Sequence, residues 1–232
     1  MKYFFQIVFF VLVSLVGFAQ NFSDVKKDTL PKEKIRRWAV GISAGHIYAF
    51  NTYNFSSANY DFEKKVKWGY GSGIAFSYKV LHFFDLSSGI SYNKLGYKYL
   101  VTFPPVPKFS RVDNYDYSLL SISLEPKWSF GHNKIKYQLG TGIELSYLEN
   151  NSCNCGGIDQ VLFKNGSMIY LVLLNMKILY ALNKSIAVFI EPKYHHAITP
   201  LIHDSKYYPG EFTMNYLKFI NTNFGFSYNF KK

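Results

Sequence analysis

Glu-Pro-Lys followed by an aromatic ring occurs twice, at Glu125–Trp128 and at Glu191–Tyr194. Residues two apart share one face of an extended chain. Each repeat therefore offers a carboxylate and an ammonium side by side, which suits either an ion pair or one step of an ion or proton path. Lys79, Asp85, Lys136, Glu144 and Lys177 fall on the corresponding parity of their own segments. A tight turn at Leu81 to Phe83 sets Lys79 opposite Asp85, as a cross-strand pair of opposite charge. The chain thus supplies nine ionisable groups for one interior: Lys79, Asp85, Glu125, Lys127, Lys136, Glu144, Lys177, Glu191 and Lys193. Their expected role is a structural network of paired charges.

His46, His195, His196, His203 and Asp204 offer a second chemistry. A histidine beside an acid and a serine is the arrangement of acyl transfer. No spacing here singles out the serine, so the histidines are expected to stand at a membrane rim, with no catalytic residues assigned. Cys153 and Cys155 form a C-x-C in an expected loop; an exported context favours a loop disulfide over metal binding, which wants more ligands nearby. No cofactor and no metal site are expected. Gly71, Gly73, Gly140 and Gly142 imitate the spacing of phosphate-binding loops, but they lie within strand patterns with no helix after them, so close interior packing is their expected role.

The elements that position these groups are strands. In Tyr216–Phe230, the residues Ile220, Thr222, Phe224, Phe226, Tyr228 and Phe230 alternate with Asn221, Asn223, Gly225, Ser227 and Asn229. A period of two puts the aromatic set on one face and the polar set on the other. A face this greasy suits lipid, with the polar face toward an interior. Seven further segments carry the pattern, at about 38–46, 69–80, 84–97, 117–130, 134–147, 168–181 and 185–195. The one at 168–181 is apolar on both faces near its start, although Asn175 and Lys177 share a parity. Proline cannot donate to a central ladder, so Pro126 calls for a bulge or a strand end. The connections alternate: 81–83, 131–133 and 182–184 are short, whereas 47–68, 98–116, 148–167 and 197–215 are long. A four-residue connection through Lys134 keeps Lys127 and Lys136 from facing each other directly.

The 232 residues carry a formal net charge of +11 and 19% aromatics. Tyrosine in such number suits two membrane–water interfaces, where the ring is apolar and the hydroxyl wet. The basic balance favours anionic headgroups over nucleic acid, because residues 1–19 read as an export signal: Lys2, then an apolar core from Tyr3 to Val16, then Gly17-Phe18-Ala19. Residues 20–37 form a basic lead-in on the periplasmic side, and 38–232 the barrel. An eight-stranded barrel is only wide enough to be filled by its own side chains. The fold class expected is therefore all-β: an eight-stranded antiparallel up-and-down transmembrane β-barrel with a filled polar interior.

The segments G-I-A-F-S-Y-K-V, L-S-S-G-I-S-Y-N-K-L-G-Y-K-Y, S-L-E-P-K-W, L-G-T-G-I-E-L-S-Y-L and N-F-G-F-S-Y-N-F resemble those of the PorT-like small outer-membrane barrels, related in architecture to OmpA and OmpX. The resemblance implies a non-enzymatic protein of the outer membrane, serving membrane structure, adhesion through the long loops, or an envelope machine. It also implies that the last strand, with Phe224, Phe226, Tyr228 and Phe230, is read by the barrel assembly machinery; Lys231 and Lys232 after Phe230 depart from that pattern. The expected surroundings are outer-membrane lipids and lipopolysaccharide, with an extracellular or envelope protein as partner and the barrel itself a monomer. The readings set against it are a lipid A-modifying hydrolase or acyltransferase and a soluble exported β-protein.

Overall fold

Alternation of apolar and small polar residues gives strands, and every regular element among the described residues is one. A computed structural model describes residues 38–50, 61–65, 67–102, 110–131, 134–154, 166–199, 201–202 and 214–230. The expected signal and lead-in (1–37) lie outside the described residues, as do Cys155, His203, Asp204, Lys231 and Lys232. The elements are β1 (Trp38–Ala49), β2 (Asp61–Lys65), β3 (Trp68–Leu81), β4 (Phe84–Thr102), β5 (Ser110–Phe130), β6 (Ile135–Asn154), β7 (Met168–Ala181), β8 (Ile186–Ala197), β9 (Leu201–Ile202), β10 (Met214–Asn215) and β11 (Lys218–Asn229).

Eight of these form an antiparallel wall in the order β3-β1-β11-β8-β7-β6-β5-β4, and β4 pairs back onto β3 to close it. The first and last wall strands meet along Ala39↔Asn229 to Ala49↔Phe219. Closure leaves no wall edge to be solvated or to recruit another chain. Paired residues followed once round the wall, from Ala181 through Ala187, Ser227, Gly41, Ala75, Gly89, Ser123 and Glu144, arrive at Leu171, ten residues up the starting strand. That stagger, with strands about 4.8 Å apart and about 3.3 Å per residue, tilts them by about 40° to the barrel axis.

The short turns lie at one end and the long connections at the other. Lys79 pairs with Asp85, and Lys127 faces Gly140 across a four-residue connection. The strands reach further at the loop end than the alternation suggests. Residues expected in loops continue β4 to Thr102, open β5 at Ser110 and carry β6 to Asn154, so Cys153 belongs to a strand, opposite Tyr115. β2 adds a further rung to this protruding sheet by pairing with β4 above Tyr97. The physical reason is that β4 and β5 satisfy each other's backbone groups without needing one buried face, so alternation fades while pairing continues. A bulge between Ser118 and Leu119 marks where wall becomes projection.

Pro126 neither ends its strand nor bulges it. It pairs with Leu86 of β4, while the ladder to β6 simply lacks rungs between Leu124↔Ile143 and Lys127↔Gly140. Pro192 does the same in β8: it faces Thr222 of β11, and the ladder to β7 is interrupted between Ile178↔Ile190 and Asn175↔Lys193. Each ring omits its donor on one side only, so the register survives.

Glycines open the interior where large side chains must fit. A Cβ on Gly225 would lie 2.6 Å from the Phe189 ring and 2.1 Å from the carbonyl oxygen of Ile42. Phe189 itself points inward and is buried. Overpacking of this kind costs about 1–3 kcal/mol when the surroundings yield. Gly225→Val is expected to lower the unfolding free energy from urea titration, in detergent or lipid, by that order, whereas Ser72→Val on the outer face leaves it near the wild-type value.

Candidate functional site: the interior network

The interior is stacked in four levels. At the turn end, the Asp85 carboxylate accepts hydrogen bonds through Oδ2 from Ser129 Oγ (2.5 Å) and Gln138 Nε2 (2.7 Å). Lys79 faces it across the ladder and is half-buried; Lys136 keeps the inward parity but stands exposed at the mouth. The network expected from the sequence therefore loses Lys136 from its buried part, because the interior opens to water there.

The middle level is organised on Glu125, which is 3% exposed. Its Oε1 accepts from Ser123 Oγ and Lys193 Nζ, each at 2.8 Å. Its Oε2 accepts from Asn175 Nδ2 at 2.6 Å and lies 3.1 Å from Lys127 Nζ. Lys127 in turn donates to Glu191 Oε1 at 2.7 Å. Both Glu-Pro-Lys repeats thus meet across the barrel, as Lys193–Glu125–Lys127–Glu191. Lys177 holds its ammonium 3.6 Å from the centre of the Phe189 ring, a contact worth about 2 kcal/mol when shielded from water. Two of the glycines make room for these groups: a Cβ at Gly140 would meet Lys127 Cγ at 2.8 Å, and one at Gly142 would meet Glu125 Cγ at 2.9 Å. Nothing resembling a phosphate loop forms there.

Above this, Glu144 accepts from Ser146 Oγ (2.9 Å), which lies 2.7 Å from Ser121 Oγ. His195 Nδ1 is 3.3 Å from Glu144 Oε2, and its ring stacks on Phe219 with centroids 4.1 Å apart. The rim position expected for His195 is therefore wrong. It points inward and is 2% exposed, since β8 reaches to Ala197 and odd residues face the interior. Neither ring nitrogen makes a well-aligned hydrogen bond among the described residues. His196 and His46 do face outward at the loop end.

The top level is apolar. Ile47, Leu95, Leu119, Leu148, Leu171 and Phe219 are each no more than 1% exposed and cluster at the loop end of the bore. This lid, Phe189 and His195 are what sequence reasoning missed. The signal was present at Ile169, Leu171 and Leu173, where β7 is apolar on both faces. Cys153 sits in β6, and its partner in the expected disulfide lies outside the described residues. Among the described residues, no cluster of His, Cys, Asp or Glu is arranged to hold a metal ion.

The outer surface inverts the pattern. Ile42, Ile74, Ile90, Ile122, Ile143 and Leu174 are between 48% and 63% exposed and form a belt around the wall. Rings edge it at both ends: Trp38 against Tyr78 (4.6 Å) and Phe130 against Tyr137 (5.9 Å) at the turn end, and Tyr48 against Trp68 (5.7 Å) and Phe50 against Tyr194 (5.9 Å) at the loop end. Phe224, Phe226, Tyr228 and Phe230 all lie on this outer face.

This is the fold of the small closed outer-membrane barrels, filled rather than hollow. Among solved structures, Neisserial surface protein A superposes with a TM-score of 0.50 at 15% identity, over 83% of this chain and 97% of that one. OprG from Pseudomonas aeruginosa gives 0.47 at 12% identity, over 85% and 98%, and Ail of Yersinia pestis 0.45 at 10%, over 84% and 99%. At such identity the first likeness concerns the fold. No protein-family model matches the chain, and no curated protein matches it.

Removing one member of a buried ion pair leaves the other charge uncompensated, at about 3–5 kcal/mol, whereas replacing both with apolar groups is often neutral. Lys127→Ala is therefore expected to destabilise by that order in urea unfolding. Lys127→Met combined with Glu191→Leu is expected to recover most of the loss; a double variant as weak as the single would show that the pair is not the unit of stability.

Proposed function

We propose that the protein is a monomeric, non-enzymatic β-barrel of the outer membrane. It spans the bilayer as a solid post and presents its long connections and protruding sheet outside the cell. The observation that carries this reading is the exposed apolar belt between two rings of aromatic side chains. Along β1 the belt runs from Trp38 to Tyr48; ten steps of about 3.3 Å, tilted by about 40°, give about 25 Å along the axis, the height of an outer-membrane apolar band. A soluble exported protein has no use for such a belt, which in water would be an aggregation surface.

The turn end, with its short connections and both wall termini, then faces the periplasm, and residues 1–19 act as the export signal. The aromatic outer face of β11 suits recognition by the barrel assembly machinery, and the segments quoted above support a place among PorT-like barrels. The adhesion or envelope-machine role resides at the loop end, because surface connections on a rigid scaffold are where binding residues concentrate. The geometry of His195 weighs against the lipid-modifying reading: a ring stacked under an apolar lid has no approach for an acyl chain.

Heat-modifiable electrophoretic mobility after detergent extraction tests the barrel in its membrane, and a protein fully soluble without detergent would overturn the reading. Reconstituted into planar bilayers, it is expected to show no stable conductance, since paired charges and the lid fill the bore. A steady open channel would refute the solid post while leaving the barrel intact. Lipid A from cells expressing His195→Phe, analysed by mass spectrometry, is expected to match that from wild-type cells.

A further inference from the structure

Lys177 is 6% exposed, yet among the described residues its ammonium makes no ion pair and no hydrogen bond. Its one polar contact is the face of the Phe189 ring, at 3.6 Å. The acids nearest to it are committed elsewhere: Glu191 receives Lys127, and Glu125 receives Lys193 and Lys127. Nearer the turn end, Asp85 accepts from Ser129 and Gln138, and Lys79, although opposite it in the ladder, makes no ion pair with it. The nine ionisable groups read from the sequence are five lysines against four carboxylates, so the interior lacks one negative charge. An aromatic face offsets part of the cost of burying an ammonium, but an uncompensated charge in a dry interior remains expensive.

The wall opposite Lys177 leaves room for a counter-charge. Its inward residues at that height are small: Gly41 of β1, Ala75 and Ser77 of β3, and Ser87 of β4. Ala75 and Ser77 are partly exposed although they face the interior. The two serine hydroxyls lie 2.8 Å apart. One proton of that pair is spent between them, and the other is left to donate into the bore. The stagger of the wall sets Lys177, Ser77 and Ser87 within about 3 Å of one level along the axis. With a backbone radius of about 8 Å, a lysine and a serine reaching from opposite walls stop about 8 Å apart. That gap suits one spherical ion between two donors and is too small for a bulky organic acid. Above it stand the Glu125 and Glu191 carboxylates, which repel an anion, and then the apolar lid. Below it the bore opens past Lys79 and Lys136.

We propose that the turn-end half of the bore binds one small inorganic anion of halide size. The Lys177 ammonium holds it on the side turned away from Phe189, and the Ser77–Ser87 pair donates from across the bore. Lys136 and Lys79 draw it in from the mouth, and the carboxylates above make the site a dead end rather than a path.

The test uses the full chain folded in detergent micelles in sodium gluconate, with bromide substituted at constant ionic strength and stability read by urea unfolding. For wild type the ratio of folded to unfolded protein is expected to rise about tenfold once bromide reaches ten times its dissociation constant. Lys177→Met removes an unpaired charge instead of leaving one, so it is expected to fold and to lose that dependence. Lys134→Gln, an exposed cation at the same end, is expected to match wild type. In wild-type crystals grown with bromide, anomalous scattering is expected beside Lys177 Nζ. Stability indifferent to bromide in wild type overturns the proposal, as does an equal dependence in Lys177→Met or an equal loss in Lys134→Gln. Bromide found at outer lysines alone, an adventitious ion only, overturns it too. If Lys177→Met does not fold, the bromide position in wild-type crystals decides. The site needs the bore and not the bilayer: a chain fully soluble without detergent that still shows this dependence would sink the membrane reading and leave the anion site standing.

Discussion

Everything in this molecule depends on pairing charge inside a tube whose outer wall is apolar. Glu125 sits where water is scarce, accepts hydrogen bonds from Ser123, Asn175 and Lys193, and is also ion-paired with Lys127. A carboxylate so placed is tolerable only if ammonium groups come to it, and Lys127 and Lys193 do. Because Lys193 is two residues from Glu191, which receives Lys127, the two halves of the interior lock each other in register. A slip of one residue in either strand would turn that strand's glutamate and lysine outward and leave their partners unpaired inside. The network contributes as much to specifying one closed arrangement as to holding it.

The apolar lid divides the interior in a way that complements this. Below Phe219 and Leu171 the filling is hydrogen-bonded; above it the filling is hydrocarbon. Water reaching the charges from the loop end would have to pass side chains with essentially no exposure. From the turn end it meets Lys136, Lys79 and the Asp85 cluster first, a graded entry from wet to dry. His195 stands at the boundary between the two regimes, with its acid on one side and an aromatic face on the other.

Much of this was legible in the chain. Strict alternation at Leu120–Phe130 and Ile220–Phe230 identifies the wall, and the Glu-Pro-Lys repeats identify the charges. Parity alone says which residues face inward, so Glu125, Lys127, Glu191 and Lys193 could be grouped without knowing which would touch. What alternation hides is height. Lys136 and Lys177 share the inward parity, yet one is exposed at a mouth and the other buried, and only the stagger of the wall separates them. His195 was misplaced for the same reason: a histidine near a strand end reads as a rim residue until the strand proves two residues longer. The protruding sheet was hidden because strands that pair beyond the wall have no lipid side and no interior side to print a period of two on the sequence.

That sheet has a mechanical consequence. β4 and β5 stay hydrogen-bonded from Phe84↔Trp128 inside the wall to Thr102↔Ser110 well beyond it, with β2 stiffening one flank. A load applied at the tip is therefore carried as shear along one continuous ladder into the post, rather than taken up by slack chain. The projection behaves as a mast stepped into the wall: a pull at its tip is a pull on the whole barrel.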